Sequence, residues 1–486
     1  MTPAHNTGDG KATAPRPPAT AWALENTVFS AAMAAHRLPW TDAAARVLGL
    51  DALTREGVTR ALLEHLRRTR AGSPVRLSTP FGTFLVPLTP AVSESLLVRA
   101  DEEGVLEPAT GLTAGGHRYG LSPHTAVPPE AFAPAGALSV PVAEEADAAI
   151  AARRGDGTVQ WAAWCEVTGR LSRRLVAGEA AAEDTLLSEI VTRAKSVKGR
   201  AAREDLAAAL HRRTKALYLE GGDPGTLVGR LVTAGADADT VVAAVAHVLD
   251  LVSEATTTTA LQALALGSVD PVLTPGEAVA RALSHYPPVA AGVHRVRAPF
   301  VWEELAIGAG TEILCAPGWL SPPRDGGAGP GAWPSALCGT PSGCAATRFA
   351  ALVAEELVRA VTAAARPLVV SPRLTAGRLP GTLDARSLLV ALEPSGGPGD
   401  GRVTVGGSAA VPVRVRGCAP ASYGALARAS AERLEGHAES LAACSGAAGW
   451  AGDETGERFR MVLLDHSRRC ADAAEGVRRA ADRLAD

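Results

Sequence analysis

Cys344 is the residue whose type and position point most directly to chemistry. It closes the turn-rich run Trp333-Pro334-Ser335-Ala336-Leu337-Cys338-Gly339-Thr340-Pro341-Ser342-Gly343-Cys344 and opens a long apolar pattern of helical period. A thiol at a helix N-terminus meets the positive end of the helix dipole, which lowers its pKa and presents the thiolate, the form that binds metal. The second candidate group is Ser253-Glu254-Ala255-Thr256-Thr257-Thr258-Thr259, in the middle of a run from Asp237 to Leu266 without Pro or Gly. Four successive threonines weaken a helix, because branching at Cβ restricts rotamers and the hydroxyls can bond back to the preceding turn. They read either as a solvated or packing feature or as a polar notch beside a ligand.

Other chemistries lack their residues. His117 and His124 lie in a Gly/Pro-rich stretch with no carboxylate or Cys at ligand spacing, so they read as surface loop residues. No phosphate-binding loop, dinucleotide fingerprint or serine nucleophile elbow is present, and Gly8-Asp9-Gly10-Lys11 is too short to be the first of these. The seven cysteines are odd in number and lack a C-x-x-C pair, which argues against a zinc ribbon or a disulfide framework and for a reducing cytoplasm. The net charge is -3 and the pI about 6.4, with no basic field for nucleic acid and no polybasic membrane patch. No uncharged stretch long enough to span a bilayer is read from the sequence, and residues 1–21 read as a disordered tail of Thr, Ala, Pro and Gly.

The positioning elements are mainly helical. Helical spacing runs from about Ala21 to Arg70, and two short strands follow around Val75–Ser78 and Gly82–Leu88. Residues 106–140 read as irregular. Helices return from Val159 to Tyr218, with Trp161, Trp164, Val167, Leu171 and Leu175 on one apolar face. The run 237–266 predicts one long central helix, Gly310–Pro317 a strand entering a turn, and 345–365 a helix followed by a strand at 367–370.

A long central helix, a strand-rich stretch, a Cys loop and a final strand pair, in this order, resemble the cytochrome P-450 family of heme-thiolate monooxygenases. The segments Gly225-Thr226-Leu227-Val228-Gly229-Arg230-Leu231 and Arg378-Leu379-Pro380-Gly381-Thr382-Leu383-Asp384 look like those of an actinobacterial branch. The resemblance covers roughly residues 60–392. It implies heme as cofactor, Cys344 as the iron ligand, Glu254 with Thr257 or Thr258 near bound oxygen, and His294 or Arg295 against a heme propionate. The departures are equally specific. Where the family has Phe-Gly, a basic residue and Pro-Gly around its cysteine, this chain has Leu337-Cys338, Ser342-Gly343 and Ala345-Ala346. The family's Glu-x-x-Arg pair falls on Arg281-Ala282-Leu283-Ser284, and propionate-binding arginines are missing around 128–140.

The last 67 residues hold two helical patterns joined near Trp450-Ala451-Gly452, an arrangement that resembles the WXG family of small helical hairpins. No Tyr-x-x-x-Asp/Glu secretion signal follows. Such a hairpin cannot bury both apolar faces alone, so it is expected to brace the large domain, to self-associate or to recruit a helical-bundle partner. The expected layout is a tail (1–21), a mainly α P-450-like domain with small β-sheets (22–395), a linker or strand hairpin (396–419) and an antiparallel two-helix hairpin (420–486). The expected function is a heme-poor or heme-free accessory or binding protein acting on a small-molecule ligand or a partner enzyme. The alternatives are a divergent monooxygenase with Cys344 on iron, and cofactor-free chemistry in the old heme cavity.

Overall fold

The computed structural model describes residues 15–36, 53–113, 116–120, 127–155, 157–197, 199–219, 223–320, 344–372, 374–375, 379–394, scattered helical residues between 428 and 442, and 454–483. The chain divides into two compact units, one of residues 1–153 and 158–395, the other of 154–157 and 396–486. The break at 395/396 coincides with the expected start of the linker, which itself lies outside the described residues together with most of the Cys loop and Trp450-Ala451-Gly452.

The first unit is built around the central helix, Ala238–Val269, which runs without interruption for 32 residues. Asp237 caps it by accepting from Thr240 N, and the absence of Pro and Gly before Gly267 lets it continue past the length of an ordinary globular helix. By length and composition it could cross a membrane, but 67% of its most apolar window is buried inside the protein, as expected of a core helix. Leu251–Ala255 forms a π-turn, and the Thr256 hydroxyl donates back to Leu251 O, five residues earlier. The helix that follows Cys344, Ala345–Ala364, packs on the central helix, whose Thr256 hydroxyl reaches Ala350 O, and its Phe349, Val353 and Leu357 are buried. We call it the thiol helix.

Among the described residues the unit also has twelve short strands: β1 (Ala19–Thr20), β2 (Val75–Thr79), β3 (Gly82–Val86), β4 (Thr110–Thr113), β5 (Gly116–Tyr119), β6 (Thr158–Val159), β7 (Ala291–Arg295), β8 (Phe300–Trp302), β9 (Leu305–Ile307), β10 (Glu312–Cys315), β11 (Ala365–Ser371) and β12 (Leu389–Pro394). Seven form one sheet in the order β1-β2-β3-β10-β7-β4-β5. Strands β11, β12 and β6 form a second sheet, and β8 with β9 a third.

Two expectations are corrected. Residues 15–21 are not tail: β1 pairs in parallel with β2, Ala21 N donates to Arg76 O at 2.9 Å, and the Ala21 side chain is buried. Residues 106–140 are not irregular throughout, because β4 and β5 form a hairpin whose β4 side pairs with β7, and a helix begins at Ala135. A Gly-rich hairpin carries no apolar alternation for sequence to display, and its pairing with a distant strand decides its conformation.

The Gly225–Leu231 motif has a structural explanation. Thr226 caps helix Leu227–Thr233 by accepting from Gly229 N at 3.1 Å and donates to Asp223 O at 2.7 Å. This draws the turn so close that a Cβ on Gly229 would lie 2.0 Å from Asp223 O, so glycine is required there.

In the second unit, helix Glu454–Arg483 runs for 30 residues. Described residues of the 428–442 segment are helical and meet it in antiparallel order, Arg428 with Asp482, Glu435 with Arg478 and Ala438 O with the Ser467 hydroxyl. The fold class is therefore mainly α with small sheets, followed by an antiparallel helical pair.

Candidate functional site

The central helix presents His247, Asp250, Glu254, Thr258 and Gln262 to a cavity of about 190 Å³. Their three- and four-residue spacing is what one helix face requires. The opposite wall includes Arg118 on β5, Lys195 near the end of helix Thr185–Ser196, Arg386 in the short turn Ala385–Ser387, and His294 on β7. Gly381, Thr382, Leu383 and Asp384 also line it, so the second of the two segments singled out in the sequence contributes directly to the site.

Glu254 is the electrostatic hub. Its Oε1 accepts from Arg118 Nη2 at 2.8 Å and from Arg386 Nη2 at 2.6 Å, and Lys195 stands close by, paired with Asp250. Burial pushes the Glu254 carboxyl pKa up, but Arg118, Lys195 and Arg386 together more than reverse this and hold it below the usual carboxylate range. A carboxylate locked in its ionised form between two guanidiniums is a poor proton donor at neutral pH.

The four threonines do not act as one notch. The Thr256 hydroxyl lies 3.3 Å from both Leu251 O and Ala350 O and shares its one proton between them, which ties the π-turn to the thiol helix. Thr257 is buried with its hydroxyl 2.5 Å from that of Thr168, across the contact with helix Trp161–Ala177, and it donates to Ser253 O. Thr258 lines the cavity, while Thr259 is buried and its hydroxyl lacks a hydrogen-bond partner among the described residues. Of the residues expected beside bound oxygen, Glu254 and Thr258 share the cavity and Thr257 serves helix packing.

The propionate candidates also separate. Successive strand residues point to opposite faces, so His294 is buried and lines the cavity while Arg295 is exposed. At the Glu-x-x-Arg position, Arg281 pairs with Asp270 at 3.0 Å, and the buried Ser284 hydroxyl finds no partner among the described residues.

Cys344 stands where the sequence places it, buried at the N-terminus of the thiol helix. Its Sγ lies 3.5 Å from His247 Nε2 on the central helix. The thiol that would hold an iron is thus already in contact with a histidine. Arg295 is exposed, and Arg281 and Ser284 stand where the family has its acid–base pair, so the residues present do not fit a heme.

A structural superposition places the chain among known folds. CYP154C4 from Streptomyces sp. W2061 aligns at 14% identity with a TM-score of 0.50, over 69% of this chain and 96% of its own. The fold is that of the cytochromes P-450. The open cytochrome P-450 EryK from S. erythraea aligns at 15% identity and TM-score 0.47, over 68% of this chain and 95% of its own. P-450 OxyD, involved in the biosynthesis of vancomycin-type antibiotics, gives 14% and 0.47, over 69% and 96%. No protein-family model matches the sequence, and no match is found among curated proteins.

Three residues that matter were not singled out from sequence. His247 was legible, since it precedes Glu254 by seven positions on the same helix face. Arg118 and Arg386 lie 136 and 132 positions from Glu254, and no local pattern links them.

Proposed function

We propose that this protein is a heme-free P-450-fold protein that binds a small molecule in the cavity beside the central helix and acts as an accessory to another protein. The observation that carries this reading is the 3.5 Å contact between Cys344 Sγ and His247 Nε2, in which a central-helix histidine engages the thiol that an iron would bind. The double ion pair of Glu254 supports it by removing the acid that proton delivery to oxygen would use. The C-terminal helices are the proposed route to a partner, since an antiparallel pair buries only part of its apolar surface.

A second reading, a divergent heme-thiolate monooxygenase, is favoured by the burial of Cys344 at the start of the thiol helix. The absorption spectrum of protein expressed with ample heme separates the two. Little or no stoichiometric Soret absorption is expected from the native protein, and His247→Ala is expected to gain heme uptake that Cys344→Ala in the same background removes. A full complement of heme in the native protein, with a red-shifted ferrous carbon monoxide band abolished by Cys344→Ala, would put the monooxygenase in first place.

A further inference from the structure

Glu254 lies between two guanidiniums in a way that resembles a bound acid. An isolated arginine–carboxylate pair favours a fork in which both oxygens accept from one guanidinium. Here Arg118 and Arg386, from different elements, both donate to Oε1, and Oε2 accepts nothing among the described residues. The π-turn at Leu251–Ala255 adds a residue to the helix at this point, a device often found at functional sites, and Glu254 belongs to it. Arg118 Nε is buried without a hydrogen-bond partner among the described residues. Two turns further along, Gln262 is 97% buried, donates from Nε2 to Leu383 O, and its Oε1 lacks a partner among the described residues. Unpaired buried polar groups are costly, and both residues line the same cavity.

From these observations we infer that the cavity takes an organic acid whose anionic group is held by Arg118 and Arg386 and whose apolar body lies against Tyr286, Pro287 and Val289. A hydroxyl or amide donor toward Gln262 completes the match, at about 12 Å from the acid, the rise of eight helical residues. This inference rests on the heme-free reading of the same cavity. Net charge is not the attraction, because the lining carries six carboxylates (Glu56, Asp101, Glu107, Asp250, Glu254, Asp384) against four bases. What recruits the acid is the pairing within the cluster, where Arg118, Arg386 and Lys195 share the two carboxylates of Glu254 and Asp250 in ion pairs, while Asp384 Oδ1 accepts from Arg386 N as a cap. Glu254 is then a competitor that holds the two arginines in place until a ligand acid joins or displaces it.

The competition sets opposite signs for substitutions in one ion cluster, and two fluorescent probes that differ only in charge read them. Dansylglycine carries a carboxylate and dansylglycinamide a neutral amide. The native protein is expected to bind the acid about tenfold more tightly than the amide, the worth of one charge-assisted hydrogen bond. Arg118→Gln and the more exposed Arg386→Gln, which is the less exposed to a folding defect, are each expected to erase that preference, and Glu254→Gln to widen it. Equal affinity for the two probes, an acid preference that survives both arginine substitutions, a weakening by Glu254→Gln, or no binding of either probe at millimolar concentration would each overturn the inference. The absorption spectrum of the same sample is recorded first: a full Soret band ends the heme-free reading, whereas no band and no acid preference ends this inference alone.

Discussion

On one face of the central helix, Thr256 and Thr257 use their hydroxyls to bridge to the thiol helix and to Thr168; on the other, Glu254 and Thr258 face a cavity into which arginines from distant segments reach. The packed face behaves as a core, with Leu261 and Leu264 almost wholly buried. The cavity face behaves as a site, where one carboxylate answers two guanidiniums and a histidine meets a buried thiol. Adjacent residues of identical type therefore do different work, because a step of about 100° around the helix moves a side chain from one environment to the other.

The largest expected effect lies on the packed face. Leu264→Ala removes a buried side chain from the core and is expected to cost about 2–5 kcal/mol in denaturant unfolding. A loss near zero would break the comparison, since the face would not be a close-packed core.

The threonines test the comparison at a finer scale. Thr257→Val removes a buried hydroxyl from its contact with Thr168 and is expected to cost about 1–2 kcal/mol while leaving probe affinity unchanged. Thr258→Val, on the cavity face, is expected to change stability by less than about 0.5 kcal/mol and to alter probe binding. Unfolding curves and dansyl titrations on the two variants would expose any reversal of these roles.

The smallest effect is in the acid limb of stability. The Glu254 pKa is lower in the folded chain than in the unfolded one, so the unfolded state takes up more protons between the two values. Its contribution is full above the ordinary carboxylate range and is lost as pH falls through the folded pKa. Glu254 is a third exposed, so the size of this contribution is reduced by solvent screening. Melting temperatures from pH 6 down to 3 are expected to fall less steeply for Glu254→Gln than for the native protein, and parallel curves would remove the ion cluster from the account of stability.

Much of the architecture was legible because its causes are local. A run without Pro or Gly yields the central helix, a thiol after a turn-rich stretch yields the start of the thiol helix, and alternation around Pro80-Phe81 yields the β2–β3 hairpin. The β4–β5 hairpin and the β1 strand escaped because neither has an apolar period of its own and both depend on partners far away in the chain.

The sequence by itself determined which residues are chemically capable, Cys344, Glu254, the threonines and His294, and the helices that carry most of them. Only the tertiary structure decided what each one meets. It turned Thr257 into a packing contact, set Arg295 on the exposed face of its strand, brought Arg118 and Arg386 onto Glu254, and placed His247 against the thiol. Periodicity is fixed by bonds between near neighbours and can be read in one dimension. The charge and space around a group depend on residues more than a hundred positions away, which only the folded chain brings within a few ångströms.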